Sequence, residues 1–199
     1  VSGVRVLPGA LSLRGGLEGS PARVLNAVRR TCLSLPRMVT KIISGGQTGV
    51  DRAALDVALA LGLPCGGWCP RGRRAEDGPL DARYPLRETP SEDYDERTAW
   101  NVRDADGTLI LNEGALSGGT AQTVALARGL GKPYLLIDLA ASLDTPAILA
   151  WMKTHQVSIL NVAGPRESKS HGIYARARHF LQPLLSALAT AANHQHKIA

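Results

Sequence analysis

Two Ser-Gly-Gly segments, Ser44-Gly45-Gly46 and Ser117-Gly118-Gly119, stand where an apolar strand pattern gives way to a helix pattern. Glycines before a helix let a ligand approach the backbone closely, and the first N–H groups of a helix have no partner inside it. Phosphate or another oxyanion is the natural guest of such a turn. Neither segment fits the Walker pattern or G-x-G-x-x-G. Each turn alone is also compatible with a tight turn that binds nothing, but the pair together predicts one shared anion site.

Polar residues beside these turns extend the predicted site. Asp51 is either an acceptor for a ring N–H or hydroxyl of the ligand, or an acid that stabilises the first turn of its helix. The predicted binding residues of the two turns are Ser44, Gly45, Gly46, Gln47, Thr48, Gly49, Asp51, Ser117, Gly118, Gly119, Thr120 and Thr123.

A polar segment over residues 71–84 is predicted to be a long loop, which is often functional in compact domains. Trp68 precedes it and either stacks on a planar ligand or packs internally. Arg71 and Arg73 either clamp an anion or form ion pairs with acids such as Glu76. The predicted site also includes these four residues and Arg166, which follows a later strand.

Residues for catalysis or metal binding are not evident. None of the five histidines lies beside a plausible nucleophile, so no catalytic residue is predicted. Cys65 and Cys69 lack the second ligand pair of a zinc site, so no metal site is predicted either. Three sparse cysteines do not form a disulfide framework, which favours a reducing compartment and a cytoplasmic protein.

Alternating strand and helix patterns must position these turns. Strands are predicted at 41–44, 65–68, 107–111, 134–139 and 158–163. Helices are predicted at 50–61, 94–104, 120–130, 145–155 and 172–189, the fourth with Thr145 as its N-cap. Such alternation predicts an α/β fold, a three-layer Rossmann-like arrangement around a mostly parallel sheet. Both turns then lie at carboxyl ends of strands, where ligands of open α/β sheets bind.

Length and charge indicate one domain. The chain has 199 residues, 44% of them hydrophobic, and a formal net charge of +6. Residues 1–37 hold six arginines and one acid, so the remainder is nearly neutral. We expect Met38 to be the functional start, residues 38–190 to form one ligand-binding domain and residues 191–199 to be a flexible tail. Residues 1–37 are then an upstream or disordered extension, with a transit peptide as the rival interpretation.

Several motifs resemble those of the molybdenum carrier family, within the lysine-decarboxylase-like Rossmann superfamily. The resemblance covers roughly residues 39–185. It is carried by ISGGQTGVDRAALD at 43–56, GGWCPRGRRAEDG at 66–78, WNVRD at 100–104, GGT at 118–120 and LNVAGPRES at 160–168.

This resemblance implies a Rossmann-like carrier that holds molybdenum cofactor, a pterin with a phosphate and a molybdenum oxo group, without catalysis. It also implies a homo-oligomer, a dimer or a tetramer. A small anionic ligand is therefore the expected partner, and no membrane partner is predicted.

Two relatives in the same superfamily supply alternative functions. Phosphoribohydrolases carry a catalytic glutamate where this chain has Thr123, and a hydroxyl cannot replace a carboxylate in acid–base chemistry. A nucleotide N-glycosidase would therefore need another acid, such as Asp51 or Glu113. The first turn also resembles that of the DNA-processing protein A type, but the nearly neutral domain argues against binding single-stranded nucleic acid.

Overall fold

The computed structural model describes residues 39–141 and 144–196. The predicted extension at 1–37 and residues 197–199 of the predicted tail lie outside the described residues. The strands are β1 Lys41–Ile43, β2 Cys65–Gly66, β3 Trp68–Cys69, β4 Arg74–Ala75, β5 Gly78–Pro79, β6 Arg87–Glu88, β7 Gly107–Asn112, β8 Tyr134–Asp138 and β9 Ile159–Ala163. The helices are α1 Val50–Ala60, α2 Tyr94–Asp104, α3 Gly118–Gly129, α4 Thr145–Thr154 and α5 Ile173–His196, with a 3-10 turn at Arg71–Arg73.

The central sheet has five parallel strands in the order β2-β1-β9-β7-β8. All six residues of β7 are buried, as expected for a strand covered by helices on both faces. Helices α1, α4 and α5 share one apolar cluster with the sheet, while α2 packs against α3. The three-layer Rossmann-like prediction is therefore confirmed.

A small second cluster fixes the segment between β2 and α2. Leu55 of α1 packs there with Cys69, Leu80, Tyr84 and Leu86, all buried. This cluster holds the region that the sequence predicts as a long loop, which contains the 3-10 turn and the β4–β5 hairpin. The region is thus attached to α1 rather than standing free.

Three predicted elements differ from the structure. The strand at 65–68 divides at Gly67, whose φ of 125° and close approach to the Ser44 carbonyl exclude a side chain, and β3 pairs with β6 instead of joining the central sheet. Helix α4 is capped by Asp144, not Thr145, since the Asp144 carboxylate accepts from the Ala147 N–H at 3.0 Å. Helix α5 continues to His196, past its predicted end.

No helix among the described residues is both long and apolar enough to cross a membrane.

Candidate functional site

The strand order brings three loops together at the carboxyl edge of the sheet. The chain leaves β1 toward β2 on one side and leaves β7 toward β8 on the other, with β9 between them. Such a reversal opens a crevice beyond the strand ends, the usual ligand position in open α/β sheets. The loops after β1, β7 and β9 meet there.

A central cleft of about 520 Å³ occupies this crevice. A recess of about 50 Å³ adjoins it and shares Arg97, Thr98, Gly119 and Gly164 with its walls. The cleft is lined by Gln47, Tyr94, Asp95, Arg97, Thr98, Asn112, Glu113, Ala115, Ser117, Gly118, Gly119, Thr120, Gln122, Gly164, Pro165, Arg166, Lys169 and Ser170.

The first Ser-Gly-Gly loop, residues 44–46, is buried and bonded within the protein. The Ser44 hydroxyl donates to the Val162 carbonyl at 2.7 Å, which ties β1 to β9. Gly45 lies beneath the Arg97 guanidinium, and Gly46 packs against Leu80 and Leu86. This loop therefore forms the floor of the site and leaves little backbone for a ligand.

Arg97 of α2 reaches that floor and pairs with buried Asp51 of α1, with 2.7 Å between Nη1 and Oδ2. Burial raises the pKa of Asp51, and the charge and hydrogen bond of Arg97 oppose that effect. The Arg97 Nε is buried and has no hydrogen-bond partner among the described residues. Arg97 thus lines both cavities, but its unpartnered Nε is buried and its charge is paired with Asp51.

Gln47, buried in the cleft wall, has its side-chain oxygen occupied. That oxygen accepts from the Thr48 N–H at 3.0 Å and from the Glu76 N–H at 2.9 Å. The amide NH₂ group remains as the part of Gln47 that a ligand can use, and it only donates.

The second Ser-Gly-Gly loop, residues 117–119, opens helix α3 and is exposed. The Ser117 side chain makes no capping hydrogen bond to the described residues, and the Ala121 N–H donates to the Ser117 carbonyl at 3.3 Å. The N–H groups of residues 118–120 precede that bond and are available to a ligand. Thr123 is buried, and its hydroxyl donates to the Gly119 carbonyl at 2.8 Å.

Charged residues of both signs line the cleft, and the charges of Arg97 and Arg166 are paired with Asp51 and Glu76. Arg97, Arg166 and Lys169 face two acids, Asp95 and Glu113. The Glu113 carboxylate lies 2.5 Å from the Arg176 Nε, outside the cleft lining, so part of its charge is already compensated. Lys169 has no ion pair among the residues that the structure describes.

The structure distributes the sequence-predicted site residues among several places. The central cleft contains Gln47, Ser117, Gly118, Gly119, Thr120 and Arg166, and the recess contains Gly45, Asp51, Gly119 and Thr123. Thr48 and Gly49 line a separate outer cleft of about 410 Å³. Six others, all within the described part of the chain, lie outside these walls: Ser44, Gly46, Trp68, Arg71, Arg73 and Glu76.

Trp68, Arg71 and Arg73 have partners outside the central cleft. The Trp68 indole N–H donates to Asp104 at 2.7 Å, and its ring packs edge-on against Trp100 with 4.7 Å between the ring centroids. Trp68 therefore packs internally, the second of the two interpretations of this residue. Arg71 forms an exposed ion pair with Glu92, and Arg73 donates to backbone carbonyls at residues 80, 81, 84 and 86. Neither arginine is placed to clamp a ligand in the central cleft.

Sequence reasoning missed the contribution of helix α2. Tyr94, Asp95, Arg97 and Thr98 line the cleft, although they precede β7 and lie far along the chain from the first loop. One signal was available, because an acid such as Asp51 needs a basic partner when it is buried. Within the described residues, no group of three or more histidines, cysteines or acids is placed to hold a metal ion.

Comparison with known proteins agrees with this architecture. Residues 42–185 match the circularly permutated YpsA SLOG family. A crystal structure from Syntrophus aciditrophicus, of a protein named "Putative molybdenum carrier protein", is 47% identical and superimposes with a TM-score of 0.72. The similarity covers 75% of this chain and 96% of that one. No curated protein matches. The resemblance to molybdenum carriers is thereby confirmed, and the chain belongs to the circularly permutated YpsA family of SLOG proteins.

Proposed function

We propose that this protein binds and carries a small phosphate-bearing heterocycle of the molybdenum-cofactor class in the central cleft. The observation that carries the proposal is the arrangement of unused donors. The Gln47 NH₂ group and the Lys169 ammonium group line the same cleft as the N–H groups that begin helix α3. Such a set binds oxyanions, because each group donates and none requires an acceptor inside the protein.

A heterocycle has its own partners in the same cleft. Asn112 is buried, and its NH₂ group donates to the Gly114 carbonyl at 2.9 Å. The Asn112 oxygen is then left to accept from a ring N–H. Tyr94 adds an aromatic surface to the same wall. These groups favour a planar, hydrogen-bonding ligand over inorganic phosphate alone.

Holding is favoured over hydrolysis because the hydroxyl of Thr123 occupies the position of the phosphoribohydrolase glutamate and is bonded to Gly119. A nucleotide N-glycosidase would depend instead on Glu113, the carboxylate beside the second loop. Free-base release from a panel of nucleoside monophosphates, lost in Glu113→Gln, would replace the carrier proposal with this enzyme.

Binding is tested by isothermal titration with molybdate, molybdopterin and guanosine monophosphate, together with mass spectrometry of small molecules released from the denatured protein. Lys169→Met should weaken binding of molybdopterin about tenfold, the size of one charge-assisted hydrogen bond. Lys153→Met is the matched control, since it removes the same charge from exposed Lys153 of α4. Absence of binding to all three compounds, with no copurified ligand, would contradict the proposal.

A further inference from the structure

Glu76 lies on the turn between β4 and β5, outside the central cleft, yet it contacts two of the loops that form it. Its carboxylate accepts from the Thr48 hydroxyl after β1 and from the Ser168 N–H and hydroxyl after β9. The same carboxylate forms an ion pair with the Arg166 Nε at 3.4 Å. Its backbone N–H holds the Gln47 oxygen.

Two of these contacts occupy part of a residue that lines the central cleft. The Gln47 oxygen is occupied, so its NH₂ group is left over. The Arg166 Nε is turned to Glu76, so the two terminal nitrogens of its guanidinium remain for the cleft. Terminal nitrogens of arginine are well suited to bidentate recognition of an oxyanion.

We propose that Glu76 is a positioning residue for the central cleft: its carboxylate orients Arg166 as a donor without touching the ligand, while its backbone N–H holds Gln47. This inference rests on the proposed function. It replaces the sequence-based expectation that Glu76 itself contacts the ligand. The β4–β5 hairpin then determines ligand affinity from outside the cleft.

Asp77, the next residue, provides a matched comparison. Its carboxylate pairs with Arg52 through two hydrogen bonds of 3.0 Å and lines the outer cleft, not the central one. Asp77 therefore anchors the same hairpin to α1 without contacting Gln47 or Arg166.

The experiment compares Glu76→Gln with Asp77→Asn. Titration with molybdate and with inorganic phosphate should show at least about a tenfold loss of affinity in Glu76→Gln, the loss expected when one charge-assisted contact is misplaced. Asp77→Asn should stay within about twofold of the wild type. Both variants are checked by thermal unfolding. Equal affinity of Glu76→Gln and the wild type would overturn the inference while leaving the proposed function in place.

A double-mutant cycle with Arg166→Met separates positioning from a general structural role. If Glu76 acts through Arg166, the loss in the double variant should be clearly smaller than the sum of the two single losses. Full additivity would contradict the inference.

A ligand-independent measurement tests the positioning role even if the wild type binds neither inorganic anion. Phenylglyoxal labelling of Arg166, followed by peptide mass spectrometry, should increase in Glu76→Gln and not in Asp77→Asn. Unchanged labelling of Arg166 would overturn the positioning role.

Discussion

The first and second Ser-Gly-Gly loops share a sequence and a place at the carboxyl edge of the sheet, but they differ in their surroundings. Ser44 is fully buried with its hydroxyl bonded to Val162, whereas the Ser117 side chain makes no cap within the described structure. A β-carbon on Gly46 would come within 2.6 Å of Leu86, whereas one on Gly119 would meet no described atom within 4 Å. The same tripeptide is therefore packed against the protein in the first loop and open to the cleft in the second.

This difference assigns separate tasks to the two loops. The first loop aligns β1, β9 and Arg97, and its glycines allow other protein groups to approach. The second loop leaves its glycines and its N–H groups open to the cleft. Substitutions in the first loop should mainly lower stability, and substitutions in the second should mainly lower affinity.

The largest effect is expected from Arg97→Met, which removes the cation that covers the first loop. Buried Asp51 would lose its partner, and an unpaired buried charge costs about 3 kcal/mol or more in the free energy of unfolding. Urea denaturation measures this, with exposed Arg103→Met on the same helix as the control. Adding Asp51→Asn should recover much of the loss. If Arg97→Met and Arg103→Met both lowered the free energy of unfolding by a similar small amount, the Arg97–Asp51 ion pair would not stabilise the floor of the site.

Next in size is the contrast between Gly46→Ala and Gly119→Ala. Gly46 has φ of 76° and lies against Leu80 and Leu86, so alanine should lower the free energy of unfolding by about 2 kcal/mol or more. Gly119 lies in the first turn of α3 with open space around it, so alanine there should change stability by less than about 1 kcal/mol. Its added methyl group should nevertheless weaken binding of molybdopterin. Equal stability losses in the two variants would refute the distinction between the loops.

A smaller contrast is expected at the serines. Ser44→Ala removes a buried hydrogen bond to the Val162 carbonyl and should cost about 1 to 2 kcal/mol. Ser117→Ala removes no cap bond seen among the described residues and should cost less than about 0.5 kcal/mol. Chemical denaturation of both variants checks this, and a Ser117→Ala loss as large as that of Ser44→Ala would contradict the open second loop.

Much of the fold was predictable, because the hydrophobic patterns of strands and helices, and the Gly and Pro residues that end helices, act locally. Helix α2 begins at Tyr94 and ends at Asp104 as predicted, and α1 ends one residue earlier than predicted. The division at Gly67 was not predictable, since it depends on the approach of the Ser44 carbonyl from another part of the chain. Local propensity carries no information about such a contact.

The candidate site was predictable only in outline. Two glycine turns at strand ends indicated the correct edge of the sheet, and no pattern around them revealed that one turn is filled by the protein itself. That outcome depends on Arg97, which lies 46 residues from Asp51 along the chain. The roles of Trp68 and Arg73 likewise depend on nonlocal partners, Asp104 for the former and the carbonyls of residues 80–86 for the latter.

The smallest expected effect is a pH dependence of the free energy of unfolding, and it concerns the Glu76 carboxylate. Partial burial opposes ionisation of Glu76, but hydrogen bonds from Ser168 and Thr48 and the charge of Arg166 lower its pKa below the ordinary value of 4.5. Because the folded-state pKa lies below the unfolded one, the carboxylate stabilises the fold above about pH 4.5, and this contribution is lost as the pH falls through the folded value. The stability difference between wild type and Glu76→Gln should therefore shrink on acidification. The stability of Ser117→Ala, in the second loop, should instead differ from that of the wild type by the same amount at every pH. A constant difference for Glu76→Gln between pH 7 and pH 3 would show that its charge does not hold Thr48 and Ser168 together.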